Sequence, residues 1–125
     1  MVREVREDQR QQACTLLRDV MGDSAPDCEG AEMWYYTLDD KMVGVLAMGA
    51  GDKLTALAVD EGYRGRSVAT ELFEAVKAVL MARARMTIHA DVPPEVEAYF
   101  SRLLFRRSAE QDPSDGETVA MYYSI

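Results

Sequence analysis

The stretch from Lys53 to Leu80 constrains this chain more than any other. Lys53-Leu-Thr-Ala-Leu-Ala-Val59 is apolar at nearly every position, the pattern of a central strand covered on both faces. Asp60-Glu61-Gly62 ends it, and Gly65 follows, so the chain turns tightly there. Over residues 66–82, Val68, Ala69, Leu72, Phe73, Val76, Val79 and Leu80 then recur at helical spacing, with Glu71, Glu74 and Lys77 on the outer face. A buried strand running through a two-glycine turn into an amphipathic helix leaves the first amide N–H groups of that helix without intrahelical acceptors. The Ser67 and Thr70 hydroxyls and the cations of Arg64 and Arg66 stand beside them, a combination suited to a phosphate or pyrophosphate.

The remaining segments arrange themselves around this unit. Between Glu7 and Met21 the residues Ala13, Leu16, Leu17, Val20 and Met21 line one face of a first helix, and the composition of residues 22–31 is that of a loop. Met33–Leu38 and Lys41–Met48, joined by Asp39-Asp40, read as a β-hairpin. After the long helix, Arg85–Ala90 reads as a strand, Pro93-Pro94 opens a helix over Glu95–Leu104, and Glu117–Ser124 is a last strand, with a further short strand near Phe105–Ser108. The order α-β-β-β-α-β-α-β predicts an α+β fold, a mixed and mainly antiparallel sheet flanked by helices. With 125 residues and no repeat or linker, one domain over 1–125 is expected.

Charge and cysteine content narrow the function classes. The net charge is −8, and residues 1–62 hold six basic and thirteen acidic residues against eight and nine in residues 63–125. An acidic surface repels phosphate backbones, so no nucleic-acid or anionic-membrane partner is expected, whereas a cationic small molecule would be attracted. Cys14 and Cys28 with the single His89 are too few for a cysteine-histidine metal site, and free thiols are expected. The N-terminal MVREVREDQRQQ has no apolar stretch of a signal peptide, and no run approaches the roughly 20 apolar residues of a membrane span, so a cytoplasmic protein is expected.

Arg64-Gly65-Arg66-Ser67-Val68-Ala69 resembles the acyl-CoA-binding turn of the GNAT N-acetyltransferase superfamily, in which Arg or Gln is followed by two residues, Gly, one residue, and Gly or Ala. Leu57–Tyr63 is similar to the family's approach to that turn and Thr70-Glu71-Leu72 to its continuation; Ser67 stands where the family prefers Gly. The resemblance implies acetyl-CoA as cosubstrate, no metal, and a binding set of Leu57, Ala58, Val59, Arg64, Gly65, Arg66, Ser67, Val68, Ala69 and Thr70, with N–H groups of residues 57–59 polarising the acyl carbonyl. It also implies a primary amine acceptor and a monomer or homodimer. Residues 94–105 resemble the family's last helix and following strand entry; aligning Phe105 on the family Phe puts Phe100 at the catalytic tyrosine position and Leu104 at a glycine.

Amide formation from a thioester sets unequal proton demands. A lysine-like amine must lose its proton at roughly 4–5 kcal/mol at pH 7, whereas a thiolate leaves at roughly 2 kcal/mol. Base help therefore outweighs acid help. Tyr99, adjacent to Phe100 but turned about 100° around a helix, is either a general acid, a wall of the acceptor pocket or core. Glu32 and Asp91, with Glu29 and His89, are the candidate bases, and Trp34-Tyr35-Tyr36 is either pocket wall or core. A second expectation stays open, a GNAT-like module that binds acyl-CoA without catalysing transfer. A different kind of nucleotide binder is the poorest of the three readings, because the P-loop lysine is missing and Gly62, Gly65 and their neighbours do not spell GxGxxG.

Overall fold

The structure is a computed structural model and describes residues 2–22, 31–92, 97–107 and 119–125. Its elements are β1 (Val2–Glu4), α1 (Arg10–Met21), β2 (Glu32–Leu38), β3 (Lys41–Gly49), β4 (Lys53–Val59), α2 (Val68–Ala82), β5 (Thr87–Val92), α3 (Glu97–Arg102), β6 (Arg106–Arg107) and β7 (Val119–Ser124). They form one seven-stranded sheet in the order β1-β2-β3-β4-β5-β7-β6. Every pairing among the described residues is antiparallel except β4 with β5. The expected α+β architecture is present, with differences at the margins. β1 is an edge strand in the N-terminal stretch, where no strand was expected, and β5 covers Thr87–Val92 instead of Arg85–Ala90. Pro93, Pro94, Glu29, Cys28 and the loop around Gln111–Gly116 lie outside the described residues. Cys14 is disulfide-bonded, which corrects the expectation of a free thiol there.

Two apolar layers sandwich the sheet. Ala13, Cys14 and Leu17 of α1 pack on Met33, Tyr35, Val45, Ala47, Ala56 and Ala58, small residues at the centre letting the helix lie close. On the opposite face Leu72, Phe73, Val76 and Leu80 of α2 meet Leu46, Leu54, Ile88, Ala90, Val92, Phe100 and Phe105. The hairpin turn Asp39-Asp40 has φ of 54° and 59°, the paired left-handed geometry that matches strand twist. Among the described residues no helix is long and apolar enough to cross a membrane.

Gly44 sets how α2 approaches the sheet. A Cβ at this position would sit 2.6 Å from Val68 Cγ1 and 3.0 Å from Leu72 Cδ1, so only glycine lets the first turn of α2 rest directly on β3. Tyr36 on β2 adds a second tie by donating a hydrogen bond to the Glu71 carboxylate, which pushes the Tyr36 hydroxyl pKa above its ordinary value.

Candidate functional site

The sheet opens between its two parallel strands. Among the described residues β4 and β5 pair at a single rung, Lys53 with His89, where the His89 N–H donates to Asp52 O at 3.0 Å. Immediately beyond it the β3–β4 register slips between Ala47 and Met48, leaving Thr55 as the extra residue of a bulge. Its hydroxyl donates to Ala47 O at 3.2 Å. A bulge bends the strand that carries it, so β4 leaves β5 at this point and the two diverge.

Divergence leaves one edge of β4 without a partner strand among the described residues. The Asp60 N–H donates to Val43 O at 2.8 Å, which phases the β3–β4 ladder. Antiparallel pairs alternate between hydrogen-bonded and non-bonded, so Ala58 with Val45 and Ala56 with Ala47 exchange bonds towards β3. The N–H and C=O groups of Leu57 and Val59 therefore point the other way, into the gap. This corrects the expectation that all of residues 57–59 contribute: the Ala58 amide is spent on Val45, and its side chain is buried under α1.

The gap widens into a cleft of about 660 Å³ lined by Val20, Leu57, Val59, Tyr63, Arg64, Gly65, Ser67, Val68, Ala69, Thr70 and Tyr99. Just after β4, Asp60 accepts from the Gly62 N–H at 3.0 Å and pairs with Lys41 at 3.4 Å. The Gly62 bond first, then Lys41 and Arg64, hold the Asp60 carboxyl below its ordinary range. Gly65 has φ of 81° and Ser67 a φ of 63°, so the turn takes two left-handed residues to swing into α2. That geometry is the physical reason a glycine suits position 67, and serine there is strained by about 1 kcal/mol. Ser67 precedes α2 without capping it by its side chain. The Glu71 N–H is the first of the helix to find a backbone acceptor, Ser67 O at 3.0 Å. The Val68, Ala69 and Thr70 amides have no acceptor among the described residues and stand as donors at the positive end of a 15-residue helix.

The other expected residues distribute as follows. Arg64 lines the cleft, but Arg66 lies over the Tyr63 ring at 5.4 Å and does not line it; Lys41 approaches the same ring at 5.5 Å. Tyr99 is on the cleft wall with 39% of its surface exposed, and partial burial pushes its hydroxyl above the ordinary tyrosine value of 10.0. Phe100 points into the core between Tyr99 and Phe105, at 5.8 and 5.3 Å. Glu32 is not in the cleft: it opens β2 at the end of the sheet where β4 begins, held by Arg83 through two bonds of 2.8 and 2.9 Å. Asp91 is also outside the lining and forms an ion pair with Lys53. His89 is at the closed end, on the last shared rung. Tyr35 is buried under α1, Trp34 in the opposite core, and Tyr36 serves α2, so the aromatic strand is scaffold. Sequence reasoning did not single out Val20 or Tyr63 as site residues. Val20 carried only the signal of a helix core face.

Leu104, at the family's glycine position, has φ of 76° and is 70% exposed. Leu104 N–H donates to Ser101 O at 3.0 Å and Phe105 N–H to Phe100 O at 3.1 Å, the bond pair that closes a helix on a left-handed residue.

An acyl-CoA would meet fitting chemistry here, with free amides and a guanidinium for phosphates, apolar walls, and unpaired strand donors in the gap. Similarity to known proteins points the same way. The model of the Acetyltransferase (GNAT) domain matches residues 6–122. A GNAT family acetyltransferase from Staphylococcus aureus superposes with a TM-score of 0.81 at 16% identity, covering 99% of this chain and 98% of that one. The ribosomal-protein-S18-alanine N-acetyltransferase from Escherichia coli gives 0.80 at 16% identity, with 100% and 93% covered. An aminoglycoside 6'-N-acetyltransferase complexed with coenzyme A gives 0.80 at 13%, with 99% and 96% covered. At these identities the structural likeness is one of fold. No curated protein matches the sequence. The split sheet, the left-handed turn into α2 and the family match over nearly the whole length together place this chain in the GNAT acetyltransferase family.

Proposed function

We propose that this protein transfers an acetyl group from acetyl-CoA directly to a primary amine, one carrying positive charge before it reacts. The observation that carries the reading is the unpaired edge of β4 at Leu57 and Val59, opening beside the uncapped start of α2. When bound, acetyl-CoA supplies an acyl carbon activated as a thioester. Arg64 and the free amides at the start of α2 hold phosphate oxygens. The Leu57 and Val59 N–H groups donate to the thioester carbonyl oxygen as negative charge grows on it, and one such fixed donor is worth about 3 kcal/mol. The acceptor must present a neutral amine; the new C–N bond forms as C–S breaks, the amine proton leaves to water, and the sulfur takes a proton. Tyr99, a cleft-wall phenol that is protonated at neutral pH, supplies it and is reprotonated from water. The acidic balance of the first half of the chain supports a cationic acceptor by long-range attraction.

Calorimetric titration with acetyl-CoA, followed by thiol release against a panel of small and peptidyl amines, tests this reading. Binding followed by amine-dependent thiol release is expected. Absence of binding to acetyl-CoA and to longer acyl-CoAs would refute it.

A further inference from the structure

The cleft depends on how far β4 and β5 part, and a single backbone rung holds them. Past Lys53 with His89 no further pair among the described residues joins the two strands. Asp91 lies two residues beyond His89, about 6.6 Å further along β5. Ile88, Ala90 and Val92 face the core under α2, so strand alternation puts His89 and Asp91 together on the opposite face. Asp91 is fixed by its own strand pairing with Ala120 of β7. From the vertex, the Lys53 side chain reaches along the opening and its ammonium meets the Asp91 carboxylate. Two further ion pairs brace the same closed end, Arg83 with Glu32 and Arg85 with Asp52 at 3.3 Å. Only Lys53 with Asp91 ties β4 to β5 among these three.

We propose that Lys53 and Asp91 form a clasp across the vertex of the cleft that sets the spacing of β4 and β5, and so positions the Leu57 and Val59 amides for the acyl carbonyl. Both are positioning residues, and the second half of the statement rests on the acetyl-transfer reading. The pairing also gives Asp91 work other than proton abstraction: its carboxylate is engaged by an ammonium at the closed end and is not among the groups lining the cleft.

The test is a set of four variants, Lys53→Met, Asp91→Asn, the double variant, and the exchange Lys53→Asp with Asp91→Lys. Both positions are half exposed, so the fold tolerates the changes, and circular dichroism verifies it. Each single variant lowers kcat about 3-fold to 5-fold, the scale of one exposed ion pair, and raises KM for acetyl-CoA less than about 2-fold. The double variant adds nothing to either single, and the exchange restores most of the loss. Turnover reduced about 100-fold in Asp91→Asn, with Lys53→Met unaffected, would overturn the clasp in favour of a catalytic base. Additive effects of the two singles would also overturn it. Spacing is read separately from labels at Glu61 and Ala98, both exposed, whose distance distribution broadens in Lys53→Met if the clasp holds and stays unchanged if it does not. Should the wild-type chain bind no acyl-CoA, the transfer reading fails, and the label distances still decide the clasp.

Discussion

Tyr99 and Phe100 are neighbours on α3 with ring planes at 88° and centroids 5.8 Å apart, and they serve different surroundings. Tyr99 lines the cleft, while Phe100 is 8% exposed in a cluster with Phe73, Phe105 and Tyr123. Alignment on Phe105 assigns the family's tyrosine position to Phe100. The structure instead puts the hydroxyl one residue earlier at the cleft.

Tyr99→Phe lowers kcat about 10-fold to 30-fold, bounded by the roughly 2 kcal/mol that unassisted thiolate departure costs, with KM for acetyl-CoA changed less than about 3-fold. Phe100→Tyr gives no gain in activity. Its hydroxyl enters an aromatic cluster and costs about 1–3 kcal/mol if left unbonded, read as a lower melting temperature. Because burial raises the Tyr99 pKa above 10.0, the donor remains protonated below that value, and kcat shows no falling limb from this group between pH 7 and 9.

The two arginines of the turn separate in a binding experiment. Arg64 faces the cleft, and Arg64→Ala weakens acetyl-CoA binding about 10-fold by calorimetry, the scale of one charge-assisted bond to phosphate. Arg66→Ala removes a cation over Tyr63, and its effect is about 3-fold or less. An equal loss from both would mean that Arg66 swings off Tyr63 to reach the ligand.

Left-handed residues offer a stability test free of any ligand. Ser67→Gly and Leu104→Gly each relieve a positive φ, for a net gain of about 0.5–1 kcal/mol after the added freedom of the unfolded chain. Gly44→Ala does the reverse, losing about 1–3 kcal/mol, because the new methyl meets Val68 Cγ1 at 2.6 Å. Denaturant midpoints of the three variants check the signs.

Acid stability follows from Glu32. A side-chain hydrogen bond from Arg83 lowers its pKa from the ordinary 4.5, so the native state favours the ionised form. A carboxyl depressed on folding contributes stability above its unfolded pKa, and that contribution is lost as pH falls through the folded value. Stability of the wild type therefore drops more steeply below pH 4.5 than that of Glu32→Gln. At pH 7 the two differ little, since an exposed ion pair is worth about 1 kcal/mol or less. Denaturant titrations between pH 3 and 7 measure this.

Much of the fold was legible because its signals are local. β4 runs over Lys53–Val59, the interval its apolar pattern predicts, and the Gly62–Gly65 turn leads into α2 as composition requires. β1 escaped notice since three residues on a sheet edge carry too short an alternation to read. The split of β4 from β5 arises from a bulge at Thr55 and a lone rung, which depend on strands far apart in sequence. The same holds for the partners of Glu32 and Asp91: both carboxylates looked available for catalysis until Arg83 and Lys53 came beside them. Tyr99 was readable as a residue but not as a direction, because one position on a short helix decides cleft or core.

Reception of acyl-CoA by the free edge of β4 and the start of α2 together is what the functional reading stands on. Amide NMR spectra of the labelled protein, recorded during titration with acetyl-CoA, test it most directly. Large shifts are expected for Leu57, Val59 and the amides from Gly65 to Thr70, with Ala58 nearly still because its N–H is bonded to Val45. Shifts confined to other surfaces, or no shifts at saturating acetyl-CoA, would contradict it.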